Sequence, residues 1–390
     1  MNRVPFLAER LQGFGTTIFA EMSGLALATG AINLGQGFPD TDGPAEVLEA
    51  AIAAMRSGAN QYPPGTGIPA LRRAISHHQQ RFYGLSIDPD TEVLVTAGAT
   101  EAIAASLLSL VDPGDEVIVF EPMYDSYSAC ISMAGGVRIP VLLNAPDYAV
   151  DLTALRNAVT PRTKAILVNS PHNPTGKVFS RLELSAIAEL AVEHDLLVIS
   201  DEVYEHLVFE GEHVPMAALP GMRDRTVTIS SGGKSFSFTG WKVGWACASA
   251  ALVSAIRTAK QFLTYVNGSG FQEGIAVGLG LPDTYFLDFA ADMKSKRDRL
   301  SSGLAAAGFA VMPTSGTYFV TADITPFGEV DGYEFCRQLP HRCGVVAVPN
   351  VVFYDNKTVG QSLVRFAFCK RQAVIDEACD RLATLQGSGL

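Results

Sequence analysis

From about residue 92 the chain alternates short apolar runs with stretches of helical period, and this alternation limits its fold more than any other feature. Glu92 to Thr96 reads as a strand, and Thr100 to Val111 as an alanine- and leucine-rich helix. Glu116 to Phe120, Thr163 to Asn169, Leu196 to Ser200 and Thr226 to Ser230 read as further strands. Between two of these, Arg181 to Asp195 places Leu182, Leu184, Ile187, Leu190 and Ala191 at helical spacing. Strands apolar along their whole length predict a sheet covered by helices on both faces. The class is therefore α/β with a mainly parallel sheet. After about residue 285 the pattern changes. An amphipathic stretch, Phe286 to Ala307, leads to short strands at Thr317 to Val320, Val345 to Val348 and Leu363 to Phe368, and a last helix covers Ala373 to Leu385. This reads as a smaller α+β unit.

A chain of 390 residues suggests two domains, and 48% hydrophobic residues can bury a sizeable core. The net charge of -11 argues against nucleic acid or an anionic membrane as a partner. An anionic metabolite would need local cations against that background. None of the six cysteines forms a C-x-x-C pair or sits at zinc spacing from a histidine, so they read as reduced core residues and no metal site is expected. Met1-Asn2-Arg3-Val4-Pro5 is not followed by a signal-type apolar core, and no apolar run approaches a membrane span. The expectation is a soluble, cytoplasmic protein.

The run Ser231-Gly232-Gly233-Lys234-Ser235 to Gly244 puts a lysine on a small-residue turn, with Ser231 before it and Lys242 after it. That suits a lysine forming an imine with an aldehyde cofactor while a hydroxyl and a cation hold the cofactor's phosphate. Such a lysine must give up its proton near neutral pH, which burial and nearby cations favour. The alternative is an exposed loop lysine. Asp201 ends the run Leu196-Leu197-Val198-Ile199-Ser200, where open α/β sheets place ligand groups. A buried acid there needs a cationic partner or it neutralises itself; a plain turn or capping aspartate is the other reading. Thr96-Ala97-Gly98-Ala99-Thr100-Glu101 links a strand to a helix start, which suits an anion on backbone N–H groups. By itself that glycine could be only a turn. Arg365 interrupts the apolar strand Leu363-Val364-Arg365-Phe366, so it binds either a ligand carboxylate or a structural acid.

With Asn173-Pro174-Thr175-Gly176 and Asp201-Glu202-Val203-Tyr204, the Lys234 run closely resembles the class I, fold type I aminotransferases dependent on pyridoxal 5'-phosphate (PLP). The resemblance covers about residues 30 to 370. It implies a large PLP-binding domain over 46–285 with a mainly parallel seven-stranded sheet, and a smaller α+β domain over 286–390 onto which segment 1–45 folds back. It assigns Lys234 to the imine and to proton transfer, Asp201 to the pyridinium nitrogen, and Asn173 with Tyr204 to the ring hydroxyl. Tyr124 would stack on the cofactor ring; Gly98, Ala99, Thr100, Ser231 and Lys242 would hold the phosphate. Many members carry arginine where Lys242 stands, so the charge carries over but not the bidentate geometry. Tyr62 would reach the phosphate from the other subunit of a homodimer. Arg365, with Asn173 and the backbone of Gly37, would take the substrate carboxylate, and Phe19 with Ile18 would line the side-chain pocket.

The implied activity moves an amino group from an amino acid to a 2-oxo acid, plausibly 2-oxoglutarate, by ping-pong chemistry. Residues 33–40, 61–67, 201–207 and 240–245 look most like a bacterial subgroup that includes N-succinyl-LL-2,6-diaminopimelate aminotransferases of lysine biosynthesis, near kynurenine, glutamine and methionine aminotransferases. A kynurenine, glutamine or methionine aminotransferase, or a cysteine-S-conjugate β-lyase using the same lysine, is the alternative. A PLP-sensing regulator domain ranks last, because the match leaves no room for a DNA-binding module. His77 and His78 lie in a polar helical stretch and are expected to be solvated.

Overall fold

The computed structural model describes residues 4–15 and 17–386; residues 1–3 and 387–390, which belong to the expected terminal segments, lie outside the described residues. The main sheet has the spatial order Val93–Thr96, Gly244–Cys247, Thr226–Ser231, Leu197–Asp201, Thr163–Asn169, Glu116–Glu121, Val137–Asn144, Ala149–Val150. The strands from Thr226–Ser231 through Val137–Asn144 run parallel. Gly244–Cys247 is antiparallel to both of its neighbours. The sheet therefore has eight strands rather than the expected seven. The extra one is Ala149–Val150, two residues paired antiparallel at the edge and too short to leave a pattern in the sequence.

Alternate residues of a strand face opposite sides, and both sides are covered. Val117 and Val119 pack with Ile103 and Leu107 of the helix Gly98–Leu110 and with Val253 and Ile256 of Ala250–Lys260. Ile118 and Phe120 pack on the other face with Leu184, Ile187 and Leu190 of Arg181–Glu193. That helix starts on a capping box between Ser180 and Glu183. Each fully buried aliphatic side chain contributes about 1.5–3 kcal/mol, so two packed faces fix the strands firmly.

Register decides what the sheet presents. Asn169 pairs with Asp201, Asp201 with Ile229, Ser231 with Gly244, and Gly244 with Thr96. Asn169, Asp201, Ser231 and Thr96 thus end their strands along one edge.

The later part of the chain forms an antiparallel sheet in the order Ala310–Val311, Phe319–Asp323, Leu363–Ala367, Val348–Pro349. The strand read at Val345 to Val348 is two pieces, because Val345–Val346 instead pairs with Ile32–Asn33. The helix Gly332–Cys343 escaped sequence reading, since its composition is polar and it contains Pro340. It starts on Asp331, whose side chain accepts from Tyr333 N and Glu334 N. Ile18, Met22 and Leu34 share one buried cluster with Leu300, Phe335 and Phe366.

His78 corrects one expectation. His77 is exposed, but His78 is only 2% exposed. On the helix Pro69–Tyr83, His78 lies on the same face as Leu71 and Ile75, so periodicity outweighed polarity. Five of the cysteines are buried and Cys343 is half-buried, all as free thiols. Among the described residues, no helix is long and apolar enough to cross a membrane.

Candidate active site

A cavity opens at the edge where the strand ends meet. It is lined by Gly98, Ala99, Thr100, Tyr124, Asn173, Asp201, Tyr204, Ser231, Lys234 and Lys242, and on the far wall by Phe19, Gly37 and Arg365. Every candidate named from the sequence is there except Tyr62 and Ile18, the latter packed in a buried apolar cluster instead.

One end is a cup for an anion. The helix Gly98–Leu110 begins without a side-chain cap, which leaves first-turn N–H groups free for a ligand. Gly98 has φ +77, and a Cβ there would lie 3.2 Å from Lys242 Nζ. A Cβ on Gly244 would fall 2.5 Å from Gly98 C. Side chains at either position would fill the cup. Lys242 itself takes φ +52, and Asn267 Nδ2 holds its carbonyl at 2.9 Å. Ser231 is buried and caps nothing with its hydroxyl.

Deeper in, Asp201 is 5% exposed. Burial pushes its carboxyl up to about 6, against hydrogen bonds from Tyr127 Oη (2.6 Å) and Val203 N (3.3 Å) and the charge of Lys234. Asn169 Nδ2 donates to the Asp201 carbonyl at 2.9 Å and Asn169 Oδ1 accepts from Asn173 N at 2.8 Å, so the two strand ends are tied. Burial raises the phenol of Tyr124 to about 12 and that of Tyr204 further still, so both stay protonated.

Lys234 stands at the mouth of the Thr226–Ser231 strand, on the short turn Gly232–Ser235. Burial brings its amine down to about 8; Cys369 and Asp201 oppose the shift, while Lys242 and Arg365 add to it. Its Nζ donates to Tyr318 Oη at 2.7 Å. A neutral amine near physiological pH is therefore available for addition to a carbonyl or for proton transfer.

Arg365 is 1% exposed and forms no ion pair among the described residues. Nη1 donates to Asn173 Oδ1 (2.7 Å), Nη2 to Gly35 O (3.3 Å), and Nε has no partner. The guanidinium lies 3.9 Å from the centroid of the Phe319 ring, with the rings of Phe353 and Phe19 at 5.0 and 5.4 Å. A buried, unpaired guanidinium facing a cavity suits a ligand carboxylate. Arg365→Ala is expected to raise KM for every amino acid substrate alike, by about 100-fold, the scale of a charge-assisted hydrogen-bond pair. Steady-state kinetics on several donors checks this; a change confined to one donor contradicts it.

Tyr62 stands apart, 83% exposed, its ring 5.6 Å from that of Tyr265. Tyr127, Asn169, Tyr318 and Phe319 were missed. Tyr127 had a faint signal, a second tyrosine three positions after Tyr124, whereas Tyr318 and Phe319 sit in what reads as an ordinary apolar strand. Among the described residues, one group of metal-ligating side chains assembles: His78, Glu205 and His206, outside the cavity, with the two histidine Nε2 atoms 2.7 Å apart.

Residues 29–382 match the family described as aminotransferase class I and II. The chain belongs to that family. It is 52% identical to the probable N-succinyldiaminopimelate aminotransferase of Mycobacterium tuberculosis (strain ATCC 25618 / H37Rv), covering 96% of this chain and 98% of the relative. It is 39% identical to the methionine aminotransferase of Escherichia coli (strain K12), over 99% of this chain and all of that one. The solved structure of the Mycobacterium tuberculosis N-succinyldiaminopimelate aminotransferase matches with a TM-score of 0.95 at 53% identity, covering 97% of this chain and 100% of that one. This aminotransferase therefore has the fold type I architecture that its sequence resembles, and it is an enzyme that transfers amino groups.

Proposed function

We propose that this aminotransferase uses PLP and takes N-succinyl-LL-2,6-diaminopimelate as amino donor, with 2-oxoglutarate as acceptor. The substrate reading is carried by the 52% identity over 96% of the chain to the Mycobacterium tuberculosis relative, against 39% to the methionine aminotransferase. The cofactor reading rests on the cavity. Its cup is walled by glycine and a lysine, burial raises its acid to about 6, and burial lowers its lysine to about 8. These residues fit a phosphate, a pyridinium and an aldehyde carbon in turn.

When bound, PLP supplies an electron-withdrawing ring that makes a substrate α-proton removable. The chain does the rest. The Gly98–Leu110 helix start, Ser231 and Lys242 hold the phosphate. Asp201, fixed by Tyr127 and Val203 N, would keep the ring nitrogen protonated. Asn173 and Tyr204 would orient the ring hydroxyl, and Tyr124 would lie against the ring. Arg365 grips the α-carboxylate, while Phe19 borders the side-chain pocket and Phe319 backs the guanidinium. Lys234 would hold the cofactor's aldehyde carbon and, as a free neutral amine, would move the proton at the substrate α-carbon.

We further read 46–285 as the large unit and 286–390 with 1–45 as the small one; the cluster uniting Ile18, Met22 and Leu34 with Leu300, Phe335 and Phe366 supports this. The exposed Tyr62 supports a homodimer in which it reaches the partner's phosphate cup. The six free thiols suit a reducing cytoplasm.

The test is a donor panel with 2-oxoglutarate: N-succinyl-LL-2,6-diaminopimelate, methionine, kynurenine and glutamine. The first is expected to lead in kcat/KM by about tenfold or more, within the discrimination one pocket supplies. A lead by any other donor overturns the substrate assignment.

A further inference from the structure

We propose that Tyr318 is a positioning residue that holds the released amine of Lys234 and ties its location to the loop covering the substrate. This rests on the reading of Lys234 as the cofactor's lysine.

Tyr318 is 1% exposed, and its hydroxyl makes two short contacts. It donates to Gly37 O at 2.5 Å and accepts from Lys234 Nζ at 2.7 Å. A hydroxyl has one proton. With that proton on Gly37, the oxygen faces Lys234 only as an acceptor. A lysine amine keeps an N–H to give whether charged or neutral, so the contact survives both halves of a proton transfer. It also turns the neutral amine's lone pair away from Tyr318. Burial raises the phenol well above its ordinary value, so Tyr318 remains protonated and anchors the amine without exchanging its own proton.

The backbone shows that this aim is held in place. Thr317, the preceding residue, is β-branched yet has φ +66. That conformation is an outlier for threonine and persists only where its surroundings enforce it. Here Thr317 N donates to Leu207 O at 2.9 Å, and Thr317 Oγ1 accepts from Phe319 N at 3.1 Å. The twist sends Tyr318 toward Lys234 and leaves Phe319 beneath Arg365. The Tyr318 ring meets Tyr204 edge-on at 5.1 Å, and phenylalanine would keep that ring contact while losing the hydroxyl's interaction with the Tyr204 phenol.

The Gly37 end gives the contact its second role. Arg365 Nη2 holds Gly35 O, and Asn33 Oδ1 accepts from Gly35 N and Gln36 N. The guanidinium that grips the carboxylate and the amine that takes the proton are thus both referenced to residues 33–37.

Tyr318→Phe removes only the hydroxyl. In the holoenzyme, kcat is expected to fall about 10- to 100-fold, with KM within about twofold and a larger α-deuterium isotope effect. In the cofactor-free protein, the pH midpoint for labelling Lys234 with an amine reagent should fall by about half a unit or more, because an acceptor that favours the charged amine is gone. In a Lys234→Ala background rescued by added methylamine, Tyr318→Phe should make no difference, since no tethered amine remains to be held. An unchanged labelling midpoint overturns the proposal. So does a loss of rate that persists in the rescued Lys234→Ala background, which would mean a merely structural role. If the unsubstituted protein shows no absorbance of lysine-bound cofactor, the cofactor reading fails instead.

Discussion

Lys234→Ala is expected to lower kcat by about 10,000-fold or more and to abolish the near-visible absorbance of lysine-bound cofactor. The proposed function gives Lys234 two roles that would vanish together, the covalent attachment and the mobile base. Nothing nearby replaces them. Lys242, the other lysine in the cavity, sits against Gly98 in the anion cup. The burial that brings Lys234 down to about 8 acts on it because of its place at the end of a strand. Turnover within tenfold of the unsubstituted enzyme, or retention of the absorbance, would falsify the assignment. Partial restoration by added small amines would separate the missing base from a damaged fold.

Asp201→Asn is the second large effect, with kcat falling about 1,000-fold, or about 4 kcal/mol of barrier. Asparagine nearly matches aspartate in shape; its single oxygen can still accept from Val203 N, while its Nδ2 can only donate to Tyr127 Oη, which then acts as acceptor. It cannot keep a proton on a ring nitrogen. The same substitution makes an opposite prediction for stability without cofactor. The folded-state carboxyl is raised from 3.8 to about 6, so the folded protein binds the proton more tightly than the unfolded chain between those values. Stability from this group therefore falls as pH rises from about 4 to about 6, and stays lowered above that. Removing the charge should leave the cofactor-free Tm at pH 7.5 unchanged or higher. A markedly lower Tm would show Asp201 to be mainly structural. Thermal melts of both forms, beside steady-state rates, decide this.

The sheet was legible because its strands are apolar throughout and end in Asn169, Asp201 and Ser231, chemical residues after uniform runs. Ala149–Val150 was not, because two residues carry no period. The Gly332–Cys343 helix was hidden by its polar face and Pro340. In the cavity, charged residues set in apolar or glycine-rich contexts stood out. Lys234, Asp201 and Arg365 each contradict their surroundings in a way that only a partner explains. Tyr127, Tyr318 and Phe319 do not, since an aromatic side chain in a helix or strand is what a core ordinarily uses. Their roles lie in direction, and direction comes from tertiary features such as the φ of Thr317. Tyr62 is the converse case: the motif marks it, but a single chain gives its ring no cavity to enter.

The pairing of Asn169 with Asp201 and of Ser231 with Gly244 has a consequence for how this catalyst can diversify. A one-residue insertion in Leu197–Asp201 would turn every following side chain to the opposite face and remove the acid from the cavity. The reaction is therefore locked to a lattice of backbone bonds that tolerates no sliding. Phe19, on the helix Ile18–Thr29, lies outside that lattice, so new donor preferences can arise there while the underlying chemistry stays inherited.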